Sequence, residues 1–311
     1  MKPFPFILII IGILLSSWGF NPHKKINETA VFLLPKELAI FYKKNIKTIT
    51  EKAVDADKRC YIDTIEGPKH YIDLDKYENV DSIPIHWSKA KEKLTEKKLL
   101  AQGIVPWQIN RTYMNLVEAF KIKNLRRIIQ YSADLGHYVA DAHVPLHTTS
   151  NYNGQYSNQI GIHALWETRI PEMYMKKYDL FIGSAVYISD PVDYAWKIVK
   201  QSNSLVDSVL HIEKQLSMKF KSSAIKTYIE RNNQLIQTYS DSYTEAYDIA
   251  MNGMVERRFK ASIHAVASFW YSAWIDAGQP NLNNVNFNFS EERIEINVDS
   301  KKSLGREEWH E

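Results

Sequence analysis

The chain has 311 residues, 45% of them hydrophobic, with 8 Trp, 18 Tyr and 12 Phe, which is enough apolar material for a large core and excludes disorder throughout. Its 39 basic and 36 acidic residues are evenly spread and leave a net charge of +3, so no field of one sign indicates nucleic acid or an anionic membrane as a partner. Cys60 is the only cysteine, so no intrachain disulfide can form, and stabilisation beyond packing would have to come from metal.

The first residues predict a secretory signal peptide. Lys2 precedes an apolar run, residues 6–15, that is too short to span a membrane comfortably. We therefore expect residues 1–17 to be removed and the protein to be secreted or periplasmic; an uncleaved anchor is the alternative. Cleavage would make Trp18 the N-terminus, and its α-amine, with an ordinary pKa of about 7.7–8.0, could chelate a metal together with its carbonyl oxygen.

Beyond Trp18 the apolar residues recur at helical spacing along most of the chain. Two helical segments are predicted between residues 26 and 54, on either side of Pro35, which suits the first turn of a helix. Further helices are predicted over residues 87–103, 106–123, 124–144, 190–215, 218–239, 240–253 and 254–278. No alternation typical of strands competes with these periods. The sequence therefore predicts an all-α, single-domain helical bundle over residues 18–278, followed by a polar tail, residues 279–311.

The segment between the first helices and the next ones, residues 54–73, is rich in acidic side chains. It contains four aspartates and one histidine, which are Asp55, Asp57, Asp63, Asp73 and His70. A Gly-Pro pair within it indicates irregular backbone. Acids and a histidine on a loop are typical of metal binding, and a solvated acidic loop is the alternative.

The stretch richest in metal-ligand side chains runs from residue 137 to residue 167. His137 and Asp141 are four positions apart, so they would project from one face of a helix. His163 and Glu167 have the same spacing. His147 follows a proline at which the first of these helices should end or bend, so it can turn back towards either pair.

With the terminus and the loop, these residues make nine candidate ligands, which are Trp18, His23, Asp55, His70, His137, Asp141, His147, His163 and Glu167. Nitrogen and carboxylate ligands without thiolates suit zinc, and nine are too many for one tetrahedral ion. The ordered set resembles the zinc-dependent phospholipase C and S1/P1 nuclease superfamily. The most specific parts are His-x3-Asp-x5-His followed by His-x3-Glu, and Trp-x4-His at the predicted cleavage site.

The resemblance implies an all-α fold that holds three zinc ions. The ligands of the first zinc would be Asp55, His70, His137 and Asp141, and those of the second His147, His163 and Glu167. Asp141 would bridge to a third zinc bound by Trp18 and His23. Asp57, two positions from Asp55, remains open as the loop ligand.

The resemblance implies a secreted zinc-dependent phosphodiester hydrolase that uses metal-activated water, with Asp55 orienting the water and taking its proton. The substrate would be a phospholipid or single-stranded nucleic acid, and we expect a monomer without an obligate protein partner. The positions linked to choline recognition in the phospholipase relatives hold Asn21 and Ala56, which argues against choline. Tyr71 matches an aromatic that nuclease relatives use for base stacking, but the phospholipase branch can carry an aromatic there too, so this position leaves both substrates open. Tyr152 and Tyr156 could stack on a base or cover a lipid headgroup. A zinc-stabilised binding module without turnover is the alternative from another class.

Overall fold

The computed structural model of the chain describes residues 20–231 and 234–282. The predicted signal peptide (1–17), Trp18 and the tail beyond residue 282 lie outside the described residues. What the sequence predicts for those segments stays a prediction.

The first part of the described chain consists of helices with short connections, except for residues 61–86, a long segment that contains only 3₁₀ turns. In chain order they are α1 (Phe20–Ala30), α2 (Lys36–Lys44), α3 (Ile46–Lys52), α4 (Asp55–Cys60), α5 (Trp87–Leu94), α6 (Glu96–Gln102), α7 (Val105–Lys121) and α8 (Leu125–Ala142). The 3₁₀ turns of this part are Val31–Leu33, Gly67–Lys69, Leu74–Lys76 and Val80–Ser82.

The second part is also mostly helical but includes one hairpin of two strands. After a 3₁₀ turn (Pro145–Thr148), its elements are α9 (Ile162–Ala164), a π-helix (Leu165–Arg169), α10 (Ile170–Tyr174), α11 (Pro191–Asn203), α12 (Val206–Ser217), α13 (Ser222–Ile225), β1 (Lys226–Arg231), β2 (Gln234–Tyr239), α14 (Asp241–Ala250) and α15 (Met254–Asp276). The predicted all-α fold class is confirmed, with this hairpin as an addition. None of the described helices is both long enough and apolar enough to cross a membrane.

Helix α8 lies at the centre of the bundle, packed against α7, α15, α1 and α3. Its Asn124 cap accepts a hydrogen bond from the Arg127 backbone N–H, which starts the helix directly after α7. Trp270 of α15 stacks on Tyr42, with ring centroids 4.8 Å apart, and its indole N–H donates to the carbonyl of Ser132 on α8 at 2.9 Å. These contacts hold the second half of α8 between helices on several sides, which explains why its polar side chains Ser132, Asp134, His137 and Asp141 are buried.

Two predicted helices are each divided in the structure. The predicted helix 87–103 breaks at Thr95, which adopts a φ of 64° and accepts a hydrogen bond from the Lys98 N–H, so that α6 begins with its own cap. The predicted helix 190–215 breaks after Asn203, where the Ser204 hydroxyl donates to the Gln201 carbonyl.

The predicted helix over residues 218–239 is wrong over most of its length. β1 and β2 pair there in antiparallel register, with Thr227 opposite Thr238 and Ile229 opposite Ile236. These β-branched side chains favour strands. The sequence also has two asparagines between the paired segments, and asparagine is favoured in turns because it tolerates the left-handed conformation.

Candidate metal centre

Helix α8 presents two of the predicted ligands, and a close helix crossing brings a third to them. His137 and Asp141 lie on one face of α8, with His137 Nε2 3.3 Å from Asp141 Oδ2. Gly136 allows α1 to approach, because a Cβ atom at this position would lie 2.0 Å from Asn27 Oδ1. α1 therefore places the His23 ring 4.3 Å from the His137 ring, centroid to centroid.

The first cluster consists of Asp57, His70, His137 and Asp141. His70 Nδ1 lies 3.0 Å from His137 Nε2 and 3.0 Å from Asp141 Oδ2. Asp57 Oδ1 lies 3.2 Å from His137 Nε2 and 3.7 Å from His70 Nδ1. Tetrahedral ligands about 2.0–2.1 Å from a zinc ion are separated by about 3.3 Å, so the spacing of these atoms fits one ion.

Asp57, and not Asp55, belongs to the first cluster, which corrects the prediction of Asp55 as the loop ligand. Residues two apart on a helix point in different directions, and both aspartates lie on α4. Asp57 is buried against the histidines, whereas Asp55 forms ion pairs with Lys52 at 3.2 Å and with Lys58 at 2.9 Å. The two lysines, each three positions from Asp55, are the sequence signal that could have identified it as a surface residue.

The second cluster consists of His147, His163 and Glu167. Glu167 Oε2 lies 3.1 Å from His147 Nε2 and 2.7 Å from His163 Nε2. Glu167 lies within the π-helix, directly after α9, which carries His163. Pro171 has no N–H to donate to the Glu167 carbonyl four residues earlier, so a wide helical turn suits this position.

The third cluster is His23 with the two shared carboxylates. His23 Nε2 lies 3.4 Å from Asp141 Oδ1 and 3.2 Å from Glu167 Oε1. Each carboxylate therefore turns one oxygen to His23 and the other to a different cluster. The resemblance implied this bridging arrangement for Asp141, whereas the bridging position of Glu167 was missed. The predicted partner Trp18 lies outside the described residues.

Hydrogen bonds from the far side of the rings fix which nitrogens face the clusters. His137 Nδ1 donates to the Ala53 carbonyl at 2.9 Å, and His147 Nδ1 donates to the His70 carbonyl at 2.8 Å. In the neutral rings the Nε2 atoms then carry lone pairs and point at carboxylate oxygens, an arrangement that a cation between them stabilises. The donor set therefore fits metal ions. Within each of three groups of described residues, the ligand atoms all lie within 4.8 Å of one another; the groups are His23, His137 and Asp141, then Asp57, His70 and His137, and then His147, His163 and Glu167.

The pKa shifts in the centre follow from burial and from these close pairs. Burial alone would lower the pKa of His70, but Cys60, Asp141 and Glu66 outweigh it and raise this pKa well above its ordinary value. Burial alone would raise the pKa of Glu167, but His147, His163 and His23 hold it well below its ordinary value. The pKa of Asp141 is likewise lowered, because His137, His70 and other nearby histidines outweigh burial. Both shared carboxylates are thus ionised at neutral pH and are available to cations.

A buried polar group beside the first cluster was missed by the sequence interpretation. His70 turns its second nitrogen, Nε2, towards Cys60 Sγ at 3.5 Å and Glu66 Oε1 at 3.8 Å. Glu66 also accepts hydrogen bonds from the Tyr138 hydroxyl and, at 3.1 Å, from the Arg59 guanidinium. Glu66 precedes His70 by four residues, and this spacing was the available sequence signal. Contacts of this kind orient the His70 ring towards the first cluster.

The aromatic residues singled out from the sequence have different surroundings. Tyr71 is fully buried, so it cannot stack on a base. Tyr152 lies edge-on to the His163 ring, with centroids 6.1 Å apart, whereas Tyr156 is exposed. The side chain of His163 is 11% exposed, more than those of the other clustered residues. The centre therefore comes nearest to solvent at His163, beside the loop that contains Tyr152 and Tyr156.

Among solved structures, the alpha-toxin of Clostridium perfringens matches with a TM-score of 0.50 and 15% sequence identity over 83% of this chain and 65% of the toxin chain. The chain has the fold of this alpha-toxin. The alpha-toxin of Clostridium absonum matches with a TM-score of 0.49 and 13% identity over 86% of this chain and 66% of the toxin chain. This chain therefore spans just under two thirds of the length of either alpha-toxin.

No family model matches the chain, and no curated protein matches its sequence. At these identities the likeness to the alpha-toxins concerns the fold. The resemblance to the zinc-dependent phospholipase C superfamily implied an all-α fold of this type, and this expectation about the fold is confirmed.

Proposed function

We propose that the chain is a secreted, zinc-dependent phosphodiester hydrolase with a trinuclear metal centre. The observation that carries the proposal is the first cluster, in which four ligand atoms have tetrahedral spacing and share Asp141 with a neighbouring cluster. Glu167 links the second and third clusters in the same way. Buried histidines and carboxylates in linked groups are the donor set that zinc prefers for catalysis.

Zinc ions bound there would supply Lewis acidity and an activated water for attack on a phosphorus atom. The shared carboxylates, Asp141 and Glu167, fix the clusters relative to one another. Asp57 belongs to the first cluster alone. We therefore assign to Asp57, in place of Asp55, the role of orienting the attacking water and accepting its proton.

The substrate we favour is a phospholipid rather than nucleic acid. Tyr71, the residue that the resemblance offered for base stacking, is fully buried, so nothing at this position supports a nuclease. With Asp57 as the loop ligand, the next residue is the cation Lys58, and Asn21 occupies the other position linked to choline recognition. A cation and a neutral amide disfavour a quaternary ammonium, so we propose a headgroup other than choline.

We further propose that removal of residues 1–17 exposes the Trp18 amine and completes the third cluster with His23. An extra residue ahead of Trp18 would move the amine away from the cluster. We expect this extended protein to lose zinc and most of its activity. Unchanged activity would contradict the role of Trp18.

The deciding experiment uses the processed protein. Bound zinc is counted, and turnover is measured side by side on single-stranded DNA, RNA and phospholipid vesicles with several headgroups. Three zinc ions per chain and vesicle hydrolysis are expected. Fewer than two would refute the mechanism, turnover of nucleic acid alone would select a nuclease, and zinc binding without any turnover would identify a binding module.

A further inference from the structure

A small cavity lies beside the third cluster. Its volume is about 30 Å³, which is room for a water molecule or a small ion. His23 and Glu167 of the third cluster line it, and so does Arg258 of α15. Most of the other side chains that line it are apolar, among them Val144 and Phe259. The cavity is therefore a place of low dielectric constant, where an uncompensated charge or an unpaired N–H group is costly.

Arg258 brings to this cavity a buried cation without an acidic partner. Its Nε donates to the His143 carbonyl at 2.9 Å, and its Nη2 donates to the Ser202 hydroxyl at 2.5 Å. The other three of its five N–H groups make no hydrogen bond within the described residues, and no described carboxylate forms an ion pair with it. Burial lowers the pKa of Arg258 to about 10, so the guanidinium is still charged at neutral pH. A buried charge of this kind is destabilising unless an opposite charge approaches it.

Two further residues that line the cavity have N–H groups without an acceptor. Trp166 Nε1 and His23 Nδ1 are buried and have no hydrogen-bond partner among the described residues. The His23 ring turns Nε2 towards Asp141 and Glu167, so with a cation at Nε2 the ring hydrogen is on Nδ1. A metal-binding histidine almost always donates this second N–H to an acceptor. The described side chains and backbone do not supply one to His23.

The carboxylate at the cavity does not offset the charge of Arg258. Of the described residues that line the cavity, only Glu167 carries a carboxylate. Its Oε1 lies 3.2 Å from His23 Nε2 and its Oε2 lies 2.7 Å from His163 Nε2, so both oxygens contact ring nitrogens of the clusters. His143 adds no charge, because burial and Arg258 hold the pKa of its ring well below its ordinary value. Arg258 is therefore the unpaired charge at this cavity.

A small monovalent anion fits these groups better than water or phosphate does. Water could accept from Trp166 and His23, but it would leave the charge of Arg258 uncompensated. Phosphate would bring a second negative charge, for which no second side-chain cation lines the cavity. Chloride has the single charge that Arg258 lacks and only accepts hydrogen bonds, which is what the unpaired N–H groups require.

We propose that the cavity binds a chloride ion, which pairs with the Arg258 guanidinium and accepts hydrogen bonds from Trp166 Nε1 and His23 Nδ1. The ion supports the His23 ring at the nitrogen that does not face the metal centre. The anion site does not depend on the proposed hydrolysis, and its tests need no substrate.

The position of the ion is tested with crystals of the full processed protein grown in sodium bromide in place of sodium chloride. An anomalous difference map at the bromine edge should show a peak in the cavity, within hydrogen-bond distance of Arg258 and Trp166. Bromide peaks at the zinc clusters alone would overturn the proposal. So would a water molecule or the Trp18 indole in the cavity in place of bromide.

The affinity is tested in solution by thermal unfolding of the zinc-loaded processed protein. Sodium chloride is titrated against sodium gluconate at constant ionic strength, and an ion that binds only the folded chain raises the melting temperature. Trp166→Phe keeps an aromatic ring and removes the N–H group. The matched control is Trp196→Phe, because Trp196 Nε1 is also buried and unpartnered but Trp196 does not line this cavity. We expect Trp166→Phe to bind chloride about tenfold more weakly or worse, and the control to bind it like the unmodified chain.

Three results in solution would refute the anion site. They are a melting temperature of the unmodified chain that chloride does not change, full chloride dependence in Trp166→Phe, and an equal loss in both variants. If the protein hydrolyses no phosphodiester but holds bromide in the cavity, the proposed function fails and the anion site stands. Hydrolysis by a protein whose cavity holds no bromide refutes the anion site alone.

Discussion

Replacing Asp57 by asparagine should empty the first cluster, whereas the same replacement at Asp55 should leave it intact. Asp57 Oδ1 lies 3.2 Å from His137 Nε2, and Asp57 is the proposed proton acceptor. Loss of a positioned base typically costs 10²–10⁴-fold in rate, so we expect turnover by Asp57→Asn to fall roughly 10²-fold or more, together with about one zinc per chain.

Asp55→Asn removes only ion pairs with Lys52 and Lys58, whose side chains are 32% and 53% exposed. Partly exposed pairs of this kind are worth about 0–1 kcal/mol, so a small loss of stability and less than about a twofold change in rate are expected. Zinc per chain is measured by mass spectrometry and turnover on bis(p-nitrophenyl) phosphate, with thermal unfolding as the control for folding. The assignment is refuted if Asp55→Asn loses zinc while Asp57→Asn retains it.

Three further predictions concern the supports of the centre. Gly136→Ala brings a Cβ atom into Asn27, so the free energy of unfolding should fall by about 1–3 kcal/mol. The displaced α1 should also carry His23 out of the third cluster. An unchanged melting temperature would contradict the close crossing of α1 and α8. Glu66→Gln should weaken zinc binding about 10–100-fold, because the His70 ring would be less well oriented; the affinity is measured by competition with a chelator. An unaltered affinity would show that Glu66 does not orient His70. The pKa values of His70 and His137 are raised in the metal-free protein, so their stabilising contribution is complete below about pH 6.5 and is lost as the pH rises through the raised values. The melting temperature in chelator should therefore fall between pH 6 and pH 9, and zinc should suppress this trend, because deprotonated rings bind the ion; a rise in chelator would contradict the charge pairing.

The long periodic helices were predictable because a buried stripe repeats over many turns. α7, α8 and α15 follow their predicted segments closely, and the pair His137 and Asp141 follows directly from helical spacing. Short elements gave no such signal. α4 has six residues, fewer than two full turns, so its periodicity could not show which of Asp55 and Asp57 faces inward.

Other features depend on tertiary contacts that one sequence does not contain. The bridging of Glu167 to His23 requires the crossing of α1 and the turn of the π-helix to meet in space. The hydrogen bond that His137 Nδ1 donates is accepted by the backbone carbonyl of Ala53. Every residue has such a carbonyl, so no side chain in the sequence could identify this partner. The hairpin was not predicted because the apolar residues of this segment also fit a helical spacing, although their β-branched and aromatic side chains favour strands.

The most direct test of the proposed metal centre is an anomalous difference map, collected at the zinc edge from crystals of the processed protein. The proposal predicts three peaks, each about 2.0–2.1 Å from its ligand nitrogens, with one bounded by Asp57, His70, His137 and Asp141. A second should lie at His147, His163 and Glu167, and a third at His23 between the shared carboxylates. A map without a peak in the first cluster, from protein that hydrolyses a phosphodiester, would contradict it.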